Sequence, residues 1–242
     1  MISILLLFLP TLIPLAAPSV VPDAALGATA YEVRFVSKGL NLKVAEATIG
    51  LERATREGED VLHASAVIHA VSIFRLFLNA EYIADAYLLP ETRQPIYYMN
   101  PVKKTGKFEC IYDRASKTVT TEFVRPPAAP EKESFPLDGR TMDLLSLLEN
   151  IRFIDLPEGE SLNLRILKAG VSVPGVLTYE GADNERFKGQ AARRFLVLMP
   201  EKGLMENNAG NRIAVWVSAG PERQMLGMEV DLGSGVMSAA VR

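Results

Sequence analysis

Tyr31-Glu32-Val33-Arg34-Phe35 alternates apolar and charged side chains with a period of two. That period belongs to a β-strand with one face buried and one face in water. Apolar residues at the same spacing return in Phe108-Cys110-Tyr112, in Phe195-Val197-Met199 and in Ile213-Val215-Val217, the last two with apolar residues between them as well. Between such runs stand turn-forming clusters: Arg56-Glu57-Gly58-Glu59-Asp60, Leu89-Pro90-Glu91-Thr92, Asp113-Arg114-Ala115-Ser116-Lys117, Pro157-Glu158-Gly159, Gly181-Ala182-Asp183-Asn184 and Gly233-Ser234-Gly235. Strands joined by connections this short pair with antiparallel neighbours, since a parallel pair needs a long crossover. About a dozen strands fit this spacing. The fold class expected is mainly β: a long curved antiparallel sheet or half-open barrel with one or two short helices.

One helix interrupts the strands. In Thr141–Ile151 the residues Leu144, Leu147, Leu148 and Ile151 fall at i, i+3, i+4 and i+7, one apolar stripe. Asp138 or Thr141 can cap its start. These four residues are expected to lay the helix on the concave face of the sheet and line one side of an apolar trough. A second short helix near Phe74–Ala80 is one reading of that stretch, and a bulged strand is the other. Residues 125–139, RPPAAPEKESFPLDG, carry four prolines. They cannot form a central strand and read as an extended connection across the sheet.

The chain of 242 residues is 48% hydrophobic and 23% charged, enough to bury a large core. Residues Ile2–Ala17 are apolar except for Ser3, Thr11 and two prolines. The run is about fifteen residues, short of the roughly twenty that span a bilayer as a helix. Ala28-Thr29-Ala30 offers small residues where a signal peptidase reads them. Residues 1–30 therefore read as a signal peptide and 31–242 as one β-rich domain, exported, periplasmic and soluble after cleavage. The first segment has no Lys or Arg, so an uncleaved anchor is the alternative, and the true start codon could lie upstream. Without residues 1–30 the chain keeps 26 basic residues and 28 acidic ones, 29 less Asp23. Such a balance offers nothing to nucleic acid or to an anionic membrane.

The chemistry-bearing residues are sparse. A lone Cys110 forms no internal disulfide. His63 and His69, if on one strand, stand on the order of 20 Å apart. No metal, no cofactor and no catalytic residue is expected. Metalloprotease, nucleotide-binding and nucleophile-elbow motifs are all missing, and one tryptophan supplies few platforms for a sugar.

Two polar constellations remain: Asp143, Ser146, Arg152 and Gly159, then Trp216-Val217-Ser218, Arg223 and Gly235. With Tyr31–Phe35 and Ala45-Glu46-Ala47 they resemble the domain of unknown function 3108 family of bacterial envelope proteins, over nearly all of the mature chain. The resemblance implies an exported, mostly-β protein and supplies no catalytic residue. Where the family pattern has an acid after Trp216-Val217-Ser218, Ala219-Gly220 stands here. The residues themselves suggest structural roles. Asp143 suits the first helical turn. Ser146 can bond back to a main-chain carbonyl. Arg152 can pair with a carboxylate or cap carbonyls, and Trp216 can anchor a core or a barrel rim. Three functions follow in order. The first is a binding protein for a lipid or other apolar molecule in a half-barrel trough. The second is a non-catalytic envelope scaffold with a protein partner. The third is a hydrolase of envelope polymers. Ile73–Leu78 is the run whose apolar content would most exceed what a core can use.

Overall fold

The computed structural model describes residues 21–71, 81–102, 106–124, 127–168, 171–187, 189–200 and 211–242. The expected second helix near Phe74 and the apolar run Ile73–Leu78 lie outside these residues. A short 3-10 turn, Asp23–Ala25, precedes the first strand. The strands of the first half are β1 (Gly27–Ser37), β2 (Leu40–Arg56), β3 (Glu59–Ala70), β4 (Glu81–Leu88), β5 (Pro95–Val102), β6 (Gly106–Asp113), β7 (Thr118–Val124) and β8 (Glu131–Pro136). There follow β9 (Thr141–Asp143), the helix α1 (Leu144–Ile151), β10 (Ser161–Lys168), β11 (Val171–Asp183), β12 (Ala192–Leu198), β13 (Arg212–Ser218), β14 (Met225–Asp231) and β15 (Val236–Val241).

All fifteen belong to one sheet. β1 to β8 run outward in sequence order to one edge; β9 lies at the opposite edge, and β10 to β15 return to pair β15 with β1. Every pair is antiparallel except β9 with β10, the one parallel pair, joined by the helix between them. Only residues 137–140 separate β8 from β9. A chain that short spans at most on the order of 18 Å, whereas fifteen strands laid flat would be roughly 65–70 Å wide. The sheet therefore curls until its edges approach, without closing into a barrel. The expected curved sheet is thus the fold.

The proline-rich stretch differs from expectation in detail. It carries β8, an edge strand paired only with β7. Proline is tolerated there because an edge strand has one side free of ladder bonds. Residues 21–30 are part of the fold: Val21 and Ala25 are buried, and Gly27–Ala30 pair with Thr48–Leu51. Ala28 lies opposite Gly50. A Cβ at Gly50 would lie 3.5 Å from that of Ala28, so small residues suit the place where these strands pack.

α1 lies inside the curl, packed on β3 and β4 from one half and on β9 and β10 from the other. Leu147, Leu148 and Ile151 enter a core shared with Val33, Phe195, Val215 and Val217, with Leu144 half-buried against it. Leu145, outside the stripe, enters a second core with Leu51, Leu62, Cys110 and Tyr112. The helix is enclosed on nearly all sides, so the stripe is one of two apolar contacts. Leu148→Ala removes a buried side chain from filled space and is expected to cost about 2–5 kcal/mol. Denaturant midpoints measured on both proteins test this; a loss below ~1 kcal/mol would place Leu148 beside open space instead.

Candidate functional site

The polar groups of the first constellation anchor α1. Asp143 is the N-cap residue, with extended backbone, and its Oδ1 accepts from the Ser146 amide at 2.8 Å. Its Oδ2 accepts from Ser146 Oγ at 2.6 Å and from the Tyr112 hydroxyl at 3.0 Å. The Asp143 amide donates back to that hydroxyl at 2.9 Å. Asp138 and Thr141, the expected caps, are used earlier: Asp138 Oδ1 accepts from the Arg140 amide and from Thr141 Oγ1 in a local turn. Ser146 donates to Asp143 rather than to a carbonyl. Burial pushes the Asp143 carboxyl upward, and the bonds from Ser146 and Tyr112 oppose that rise.

At the other end of the helix, the C-cap Arg152 reaches three partners. Nη1 donates to Glu149 Oε2 at 2.5 Å, Nη2 to the Ala25 carbonyl at 2.5 Å and Nε to the Arg223 carbonyl at 2.8 Å. Burial raises the Glu149 carboxyl, and Arg152 works against that rise. Asn150 Nδ2 donates to the carbonyls of Ser146 and Arg93, each at 2.8 Å. Arg152 thus ties the N-terminal segment, the helix end and the β13–β14 turn together at one end of the curl.

Of the second constellation, only Arg223 joins this network. Its carbonyl receives Arg152, and its Nη1 donates to Asp155 Oδ1, which Arg193 also holds. Asp155 is the carboxylate beside these arginines where the motif itself has Ala219-Gly220. Ser218 closes the β13–β14 turn, accepting from the Gln224 amide at 2.9 Å. Trp216 faces away from the concave side. It packs with Ala214, Leu226 and Phe187 in a small separate cluster, and Nε1 donates to Asp183 Oδ2 at 2.8 Å. Gly227 lies opposite it; a Cβ there would meet the Ala239 carbonyl and the Phe187 ring at 2.9 Å. His63 and His69 both lie on β3, His63 between Glu52 and Asp85 and His69 beside Glu81.

Beyond the helix, the concave face holds an apolar cavity of about 180 Å³. Its walls come from β1 to β4, β14 and β15, with Val33, Val44, Ala47, Ile68, Met228 and Met237 among them. None of the four helix-stripe residues lines it. Small side chains at Ala45, Ala47 and Ala70 leave the space. Two tyrosines enter the lining, and each has its polar tip engaged. The Tyr31 hydroxyl donates to the Met225 carbonyl at 2.8 Å, and the Tyr82 hydroxyl lies 3.2 Å from that of Tyr98. The cavity therefore presents carbon and almost no free polar atom.

Residues 30–240 match the family described as "Protein of unknown function (DUF3108)". The chain belongs to the DUF3108 family. No curated protein matches it. The fold of this DUF3108 chain is similar to the crystal structure of a β-barrel-like protein of domain of unknown function DUF1849 from Brucella abortus. That likeness has a TM-score of 0.53 at 8% identity and covers 89% of this chain and 95% of the other. The Mycobacterium tuberculosis lipoprotein LppX aligns over 91% of this chain and 88% of its own, at 13% identity. Its TM-score of 0.29 is below that of a shared fold. No helix among the described residues is long and apolar enough to cross a membrane.

Sequence reasoning missed Tyr112, Glu149, Asn150 and the whole cavity wall. Glu149 and Asn150 lie off the apolar stripe; they are buried because sheet surrounds the helix. Their single signal was the spacing of Glu149 to Arg152, i to i+3. Arg152→Met leaves Glu149 buried without its partner and is expected to lower stability by about 3–5 kcal/mol. The Glu149→Gln/Arg152→Met double variant should regain part of that, because the charge is gone while the Ala25 and Arg223 carbonyls still lack a donor. Chemical denaturation of the three proteins checks the order.

Proposed function

We propose that this DUF3108 protein is an exported binding protein that holds an apolar molecule, a lipid hydrocarbon chain or a compound of like surface, in its concave face. The cavity carries the reading. It is walled by aliphatic and aromatic carbon, and its tyrosine hydroxyls are already bonded. A polar ligand would lose its water there and gain no partner. An apolar one gains roughly 25 cal/mol for each Å² it removes from water. A dry apolar cavity on the order of 150 Å³ already takes up a benzene-sized molecule. Left empty, a space of this size costs a protein on the order of 4 kcal/mol. Filling it from outside offsets that cost.

The protein side of the test is a single substitution. Ala47→Phe puts a ring into the cavity from β2. It is expected to abolish uptake of an apolar fluorescent probe while leaving the denaturation midpoint equal or higher. Probe titration by fluorescence, with the midpoint on the same samples, reads both. Absence of probe uptake by the unaltered protein overturns the proposal.

Export rests on the apolar segment Ile2–Ala17, and the fold constrains where it can be removed. Cleavage after Ala30 would strip Val21, Ala25 and the first rungs of the β1–β2 ladder. The mature chain is therefore expected to begin upstream of Val21. N-terminal sequencing of protein taken from the cell envelope decides this; a start at Tyr31 would show that the fold does without that segment.

A further inference from the structure

The curl has two unlike ends. At one, the N-terminal segment, the end of α1 and the β13–β14 turn are tied by Arg152. The cavity lies toward the other, where the β1–β2 and β14–β15 turns sit side by side. Ser37 Oγ donates to the Ser234 carbonyl there at 2.5 Å.

The lining does not stop at the mouth. Val33 lines the cavity, and Phe35, two residues on, faces the same way. Opposite Phe35 stands Leu42, and opposite Ser37 stands Leu40. Leu42 is 41% exposed and Leu40 is 55% exposed. On the outer face of the same hairpin, Val36 is 41% exposed. Val44 still accepts from the Val71 amide at 2.9 Å, and Leu40–Lys43 lie past the last described pairing of β2 with β3. The charges of this hairpin are largely matched: Arg34 with Glu32, and Lys43 with Glu46 and Glu32. Lys38 sits at the turn itself.

We propose that the β1–β2 hairpin tip docks on a lipid bilayer, immersing Val36, Leu40 and Leu42, so that hydrocarbon passes between the bilayer and the cavity. The proposal rests on the reading of the cavity given above. A bilayer suits the tip better than a protein does, because exposed aliphatic side chains stand on both faces at the end of one hairpin. A protein surface would cover one face; a fluid apolar medium covers both. The matched charges make the contact apolar rather than electrostatic, and Lys38 is long enough to keep its ammonium at the headgroups.

The test is flotation of the full chain with vesicles of phosphatidylcholine and phosphatidylglycerol, about 3:1, using wild type, Leu40→Ser/Leu42→Ser and Ala47→Phe. Wild type is expected to float, and the double variant to lose at least about tenfold in partitioning. Raising salt from about 0.05 to about 0.5 M should change wild-type binding less than about twofold. The double variant, altered only at exposed positions, should take up free probe from solution as wild type does. Ala47→Phe should float as wild type does. Wild type that stays in the aqueous layer, a double variant that floats unchanged, or binding abolished by salt overturns the proposal. So does a double variant whose oligomeric state, rather than its flotation, is altered, since the tip would then be a protein interface. Tip-dependent flotation by a protein that takes up no probe supports the docking surface and overturns the cavity reading alone.

Discussion

Residues 137–140 are the constraint on which the architecture turns. They join β8 to β9, and those strands are the two edges of a single fifteen-stranded sheet. A link so short forces the edges toward each other and gives the sheet an inside. β9 is consequently buried at all three residues, and the Tyr112 hydroxyl of β6 can meet both the amide and the carboxylate of Asp143. The helix that follows starts inside the curl and has nowhere to go but along it. Its polar residues are then buried with its apolar ones, which explains why Asp143, Ser146, Glu149, Asn150 and Arg152 are all bonded.

Those bonds serve position more than stability. A buried ion pair such as Glu149 with Arg152 gains little over an apolar pair of equal size, but losing one partner is costly. Arg152 spends its remaining donors on the carbonyls of Ala25 and Arg223, residues far from it in sequence. The result is an end where three segments are tied together. The other half of the concave face is left to small side chains and bonded tyrosines, and there the cavity forms. One end is tied by buried polar bonds and the other carries the apolar cavity; the functional proposal rests on that division.

The sequence carried the local part of this. Period-two alternation at Tyr31–Phe35 marks a strand with one face toward a core, and the unbroken apolar run Ile213–Val217 marks one buried on both faces. The stripe of Leu144, Leu147, Leu148 and Ile151 marks a helix, and the prolines at 126–136 mark a place no central strand can occupy. Strand order was not legible, since β1 pairs with β15 across most of the chain and short turns say nothing of that closure. The cap was misread because Asp138 and Thr141 fit the cap pattern, while Asp143 becomes the cap only when Tyr112 and the sheet reach it. The cavity was invisible for a related reason. Ala45, Ala47 and Ala70 are ordinary strand residues until six strands bring them round one space. Trp216, read as an anchor for a core or a rim, anchors the outer face beneath Phe187.

The central claim is that the concave face holds an apolar molecule. Native mass spectrometry of the protein purified from the cell envelope, under conditions that keep weak complexes, tests it most directly. The account predicts a bound species that extracts into organic solvent and is missing from the Ala47→Phe variant. A wild-type spectrum showing only the bare chain, unchanged after incubation with lipid extract, would contradict it.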